Sequence, residues 1–172
     1  MDSFKAYLSG SKIVSSANEA FSLNSQSSIG DRIDDKIHYT LVETIYLMKK
    51  GRLKLFKENK EISEDKLMKI AEKKEHNFFA RLRAYSDLKS RGYTVKTALK
   101  FGADFRVYDK GKKPGDEHAK WIVFAVYETD KLTWYEFAAK NRVAHSTKKN
   151  LLLALVDSEG DITYYEVRWL KP

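Results

Sequence analysis

Two uninterrupted apolar runs in the second half of the chain most limit what it can fold into: Trp121–Tyr127, "WIVFAVY", and residues 151–156, "LLLALV". Both fall far short of the roughly 20 residues that cross a bilayer. Residues 150–156 read as a buried central strand, because a strand covered on both faces loses the alternation of a half-exposed one. Residues 121–128 read as a second strand. Between them Thr133 and Glu136 have the spacing of a capping box, and Trp134, Phe137, Ala138 and Ala144 line one face of a helix that runs to Ser146. Residues 157–161 form a turn around Gly160, and residues 162–170 a final alternating strand.

Upstream, the run from residue 101 alternates: Phe101, Ala103, Phe105 and Val107 share one face, leaving Asp104, Arg106 and Tyr108 on the other. Earlier still the period changes to helical. Leu41, Val42, Ile45, Tyr46 and Met48 recur at helix spacing over residues 39–50, and Gly51 is placed to end that helix in a left-handed conformation. A short strand over residues 52–56 follows. Ser63 is a candidate N-cap with Glu64 and Asp65 behind it, and Leu67, Ile70, Ala71, Phe78, Phe79, Leu82, Tyr85 and Leu88 form an apolar stripe towards Gly92. That stripe is one long helix or two joined near residues 75–77. Residues 1–37, with their Ser- and Asn-rich stretch at 22–28, read as loops and short strands. The fold class is α/β or α+β, in two small domains: 1–77, and 78–172 around a central mixed sheet flanked by helices.

The chain is 42% hydrophobic and 13% aromatic over 172 residues, enough for packed cores. Its start lacks a charged segment followed by an apolar one, so a soluble, cytoplasmic protein with no membrane partner is expected. It has no cysteine, which removes disulfides, thiol nucleophiles and cysteine-ligated metals together. Its formal charge is +8. Residues 81–120 hold eleven Lys or Arg against five Asp or Glu, and so carry most of that excess. A basic stretch is either a solvated face or the footprint of a polyanion, since lysines and arginines that neutralise phosphates release counterions.

The four histidines, His38, His76, His118 and His145, do not pair at metal-ligand spacing. No cofactor is expected. Chemistry must then use oxygen and nitrogen groups, and the stretch "YDKGKKPGDEH" brackets a polar turn with two of them, Tyr108 and His118. As plain structure these are a strand residue and a turn residue. If the flanking strands are antiparallel neighbours, however, the two side chains share one sheet edge. In "HSTKKN", Lys148 and Lys149 suit the negative end of a helix, but Lys149 also begins the buried strand and is the better candidate for a fixed positive charge.

The segments "RGYTVKTALKFGADFRVYDKG", "EHAKWIVF" and "NRVAHSTKKNLLLALVDSEGDITYYEVRWLKP", in that order and spacing, resemble the catalytic chain of archaeal tRNA-splicing endonucleases. The helix "LVETIYLMKKG" is similar to that family's N-terminal domain. The resemblance implies a structural domain over 1–77 and a restriction-endonuclease-like catalytic domain over 78–172. It also implies metal-independent cleavage of precursor tRNA at bulge–helix–bulge splice sites, leaving a 2′,3′-cyclic phosphate and a 5′-hydroxyl. By motif the catalytic residues are Tyr108, His118 and Lys149. Tyr108 would take the proton from the 2′-hydroxyl, His118 would protonate the leaving oxygen, and Lys149 would stabilise the pentacovalent phosphate. An ordinary tyrosine is protonated at neutral pH, so a base of this kind needs a neighbouring positive charge.

The resemblance further implies that each bulge base is clamped by two side chains from the opposite subunit, Arg142 and Trp169 by motif, through stacking and cation–π attraction, which tolerate any base. Glu128 and Asp130, in "YETDK", match an acidic loop that docks into another subunit. One candidate triad faces two splice sites per intron, so at least two catalytic chains must combine, as a homotetramer or with a homologous structural subunit as two plus two. Two other readings stand beside this one. The first is a magnesium-dependent nuclease using Asp104, Glu117 and Lys120. The second is a non-catalytic RNA-binding subunit of a splicing complex, which need not keep all three triad residues.

Overall fold

The computed structural model describes residues 3–171. The chain divides into two compact units, Met1–Phe78 and Phe79–Pro172. The first contains β1 (Phe4–Ser9), β2 (Lys12–Ser15), α1 (Asn18–Ser27), β3 (Asp31–Ile33), β4 (Lys36–Tyr39), α2 (Leu41–Lys49), β5 (Leu53–Lys57), β6 (Lys60–Ile62) and α3 (Glu64–Lys74). Its six strands form one mixed sheet in the order β3-β4-β2-β1-β5-β6, with only β1 and β5 parallel.

Helix α2 falls within the span 39–50 marked by its apolar spacing and begins after Thr40. Thr40 accepts from the Glu43 amide, and the Glu43 carboxylate accepts from the Thr40 amide at 3.0 Å. Glu43 is only 3% exposed, and it also takes the Gly30 N–H at 2.9 Å, so its buried charge is met by donors on two sides. Helix α1 overturns the loop expected at residues 22–28. Ala20 and Leu23 anchor it in the core, and the residues that read as loop formers close its end. Ser28 is left-handed, with φ +56°, and its N–H donates to the Asn24 carbonyl. The Asn24 amide in turn donates to the carbonyls of Ile29 and Gly30.

The second unit comprises α4 (Phe78–Ser90), β7 (Thr94–Thr97), a 3₁₀ turn (Leu99–Phe101), β8 (Phe105–Tyr108), β9 (Trp121–Tyr127), α5 (Trp134–Ser146), β10 (Asn150–Val156) and β11 (Ile162–Val167). The long apolar stripe is thus two helices, α3 and α4, broken at residues 75–77, where Asn77 has φ +55°. The five strands lie in the order β11-β10-β9-β8-β7. Here β9 and β10 are parallel and the other pairs antiparallel, so the fold is α+β with a mixed sheet in each unit. The central strand is β9, not β10, which lies one place from the edge.

Phe101 does not share the buried face of Ala103, Phe105 and Val107. The 3₁₀ turn and left-handed Gly102 reverse the chain before β8, and Phe101 stays 44% exposed. Trp134 likewise leaves the core: it is 85% exposed at the first turn of α5 and meets Phe137 edge-on. The core under α5 is built from Ile122, Phe124, Ala144, Leu151 and Leu153, each fully buried large side chain contributing about 1.5–3 kcal/mol. No helix among the described residues is long and apolar enough to cross a membrane.

Candidate active site

The β8–β9 pairing puts Val107 opposite Trp121 and Arg106 opposite Ile122, so these strands are antiparallel neighbours. Tyr108 ends β8, and His118 lies just ahead of β9 across the connector. The connector itself is folded by local turns, Lys112 N–H to Asp109 and Asp116 N–H to Lys113. The backbone of Lys120 then stitches three segments together. Its N–H donates to the Val107 carbonyl at 2.8 Å, and its carbonyl accepts from Asn150 N–H at 3.1 Å. The ends of β8, β9 and β10 therefore meet at one point, which brings Tyr108, His118 and Lys149 to the same edge of the sheet.

Lys149 arrives there through the turn that ends α5. Lys149 N–H donates to Ala144 and Lys148 N–H to His145, each at 2.9 Å, which is the 6→1 and 5→2 pattern of a Schellman motif. Lys148 occupies its left-handed position with φ +56°, where glycine is the usual residue. This reversal aims the chain into β10 and separates the two adjacent lysines: Lys148 is exposed, and Lys149 turns inward. The Lys149 Nζ donates to the Thr147 carbonyl at 2.6 Å, leaving two of its three protons for other partners. Burial, and after it the charge of Arg106, pull its pKa below the ordinary lysine range.

Tyr108, His118, Lys149 and Arg106 line one open cavity of about 420 Å³, with Asp116 and Glu117 at its connector side. Tyr108 is 5% exposed and forms the floor, whereas His118 is exposed at the mouth. Arg106 was not singled out from sequence, although its spacing of two residues from Tyr108 on one strand was the available signal. From the far edge, Glu166 on β11 braces the same corner. Its carboxylate accepts from Trp121 Nε1 at 3.0 Å, Asn150 Nδ2 at 2.9 Å and Arg168 Nε at 2.6 Å. The Arg168 and Trp121 bonds hold that carboxyl below its usual range.

The other residues picked from sequence lie elsewhere. Arg142 is exposed on α5, one turn before His145, and the His145 ring packs against Trp169 at 4.7 Å between centroids. Trp169 stands beyond the end of β11 and is 56% exposed, rather than being a residue of the last strand. Glu128 and Asp130 follow β9 at the end opposite the cavity. Both are exposed, and Asp130 accepts from the Tyr127 amide at 2.9 Å.

The three residues considered for magnesium are not brought together. Asp104 is bound by Arg81 at 2.8 Å and by the Ala125 amide at 2.8 Å, away from the cavity. Burial pushes its carboxyl up in spite of these partners. Glu117 pairs with Lys112, and Lys120 with Asp109. Among the described residues no group of three His, Cys, Asp or Glu side chains is placed to hold a metal ion.

Comparison with known proteins covers nearly the whole chain. Residues 78–164 match the tRNA intron endonuclease catalytic C-terminal domain, and residues 4–68 the N-terminal domain of the same family. The chain is 39% identical over 166 residues to a tRNA-splicing endonuclease of Pyrococcus horikoshii, covering 96% of this chain and 95% of that one. It is 44% identical over 146 residues to a tRNA-splicing endonuclease of Nanoarchaeum equitans, covering 81% and 93%. A third, from Methanothermobacter thermautotrophicus, is 39% identical over 150 residues, 87% of each chain. The chain belongs to the tRNA intron endonuclease family.

Proposed function

We propose that this chain is an endoribonuclease that removes introns from precursor tRNA, cutting at bulge–helix–bulge splice sites without a metal ion and leaving 2′,3′-cyclic phosphate and 5′-hydroxyl ends. The observation that carries the reading is the convergence of Tyr108, His118 and Lys149 on one cavity at the meeting point of β8, β9 and β10. Tyr108 Oη takes the proton of the 2′-hydroxyl, and the freed O2′ attacks the adjacent phosphorus. The bond from phosphorus to O5′ breaks as His118 gives its proton to that oxygen. Lys149, anchored on the Thr147 carbonyl, directs its remaining protons at the non-bridging oxygens as their charge grows. The buried floor and exposed mouth suit these roles, because the nucleophile is enclosed and the leaving strand departs towards solvent.

Residues 78–172 act as the catalytic domain on this reading, and residues 1–77 as a structural one. Arg142 and Trp169 clamp a bulge base presented to the opposite subunit's active site, and the Glu128 to Asp130 loop docks against a second subunit. The assembly has at least two catalytic chains, as a homotetramer or with a homologous partner. The test is cleavage of an intron-bearing tRNA in excess EDTA, after native mass measurement of the assembly. Release of the intron with cyclic phosphate ends is expected. A 5′-phosphate product, or activity that vanishes with EDTA and returns with magnesium, overturns the reading.

A further inference from the structure

Among the described residues, Arg106 is the one cation lining the cavity that has no part in the proposed cleavage. It lies two residues before Tyr108 on β8, hence on the same face of the sheet. Its cross-strand neighbours are Ile122 on β9 and Lys96 on β7, neither a carboxylate, and of the two acids on the connector side of the cavity, Asp116 and Glu117, both exposed, Glu117 is paired with Lys112. Among the described residues its Nε is buried without a hydrogen-bond partner, and the guanidinium forms no ion pair. The guanidinium lies over the Phe101 ring, 5.5 Å from its centroid. A guanidinium whose Nε is shut off from water without a partner is an unfavourable arrangement, and here its open side lines the same cavity as a second cation, Lys149. Two like charges facing one cavity become favourable when an anion enters between them.

We propose that Arg106 is a catalytic residue that grips the non-bridging oxygens of the scissile phosphate together with Lys149. The inference rests on the RNA-cleaving reading above and deepens it. A phosphodiester carries one negative charge and the pentacovalent state formed by O2′ attack carries two, so a pair of cations matches the transition state better than the ground state. The guanidinium adds what an ammonium lacks, a planar fork that can take two oxygens of one phosphate in fixed orientation. Lys149 then acts as the point charge and Arg106 as the orienting one.

The experiment is single-turnover cleavage of precursor tRNA in EDTA by wild type, Arg106→Gln, Arg106→Ala, Arg106→Lys and Phe101→Ala, with RNA affinity and melting temperature measured for each. Arg106→Gln is expected to cleave about 100-fold more slowly, with RNA affinity and melting temperature close to wild type. Arg106→Lys should recover part of that loss. Millimolar guanidinium should accelerate Arg106→Ala and leave wild type unchanged, and Phe101→Ala should cleave like wild type. Full-rate cleavage by Arg106→Gln overturns the proposal. So does a Phe101→Ala variant that reproduces the Arg106→Gln loss, with guanidinium giving no rescue, because Arg106 would then only be holding the 3₁₀ turn in place. If wild type itself fails to cleave in EDTA, the parent reading falls; if wild type cleaves and only the Arg106 arm fails, this inference falls alone.

Discussion

Replacing His118 by alanine is expected to slow single-turnover cleavage by about 100- to 10,000-fold, the range that a positioned general acid supplies, with little change in RNA affinity. His118 is exposed at the cavity mouth and belongs to no buried cluster, so its removal leaves the fold intact and isolates the chemical step. An imidazole can hold and give up a proton near neutral pH, which suits protonation of a departing alkoxide. The role can be separated from mere proximity by weakening the demand for an acid. A substrate with sulfur in place of O5′ leaves as a thiolate and needs no proton, so His118→Ala should cut it nearly as fast as wild type does. An equal loss on both substrates would mean that His118 positions the RNA and does not protonate it.

Lys149→Met should lower the cleavage rate by about 100- to 1,000-fold, the usual effect of deleting one preorganised donor to developing negative charge. Stability should not fall with it. The ammonium is held against burial and against the charge of Arg106, both of which pull its pKa below the ordinary lysine range, so the folded protein disfavours the charge that catalysis uses. The active form is protonated, so its contribution is full well below that lowered pKa and disappears as pH rises through it, earlier than for an ordinary lysine. Lys149→Arg, which stays charged, should extend activity further into the alkaline range. Lys148→Gly is the matching control: it places glycine at the left-handed position, should keep full activity, and should leave stability unchanged or higher by up to about 1 kcal/mol. A Lys149→Met enzyme as fast as wild type would remove the lysine from the mechanism.

Where a side chain both forms its element and reveals it, the sequence was readable. Thr133 with Glu136 is a capping box in the structure as in the pattern, and the apolar run of β10 is buried along most of its length. Failures came where distant packing or backbone conformation outweighed composition. Asn24 and Ser28 look like loop residues, yet they terminate α1 because Ala20 and Leu23 have a core to enter. Phe101 fits an alternating pattern that Gly102 interrupts. Trp134 fits a helical stripe whose first turn has nothing over it among the described residues. The site was legible as far as its hairpin: Tyr108 and His118 lie where antiparallel strands bring them. The left-handed turn at Lys148, which separates a solvated lysine from the inward one, is written in no residue preference, and the unpartnered Nε of Arg106 is a property of three strands together.

The origin of the nucleophile decides between cleavage by the RNA's own 2′-hydroxyl and hydrolysis by water. A precursor tRNA carrying a single 2′-deoxy nucleotide immediately 5′ to one splice site, incubated with enzyme in excess EDTA, removes that nucleophile and changes little else. The prediction is no cleavage at the modified site, unchanged cleavage at the other, and a 2′,3′-cyclic phosphate on the fragment that is released. Cleavage at the deoxy position would show that the attacking oxygen comes from water or from the protein, and would contradict the roles assigned to Tyr108, His118 and Lys149.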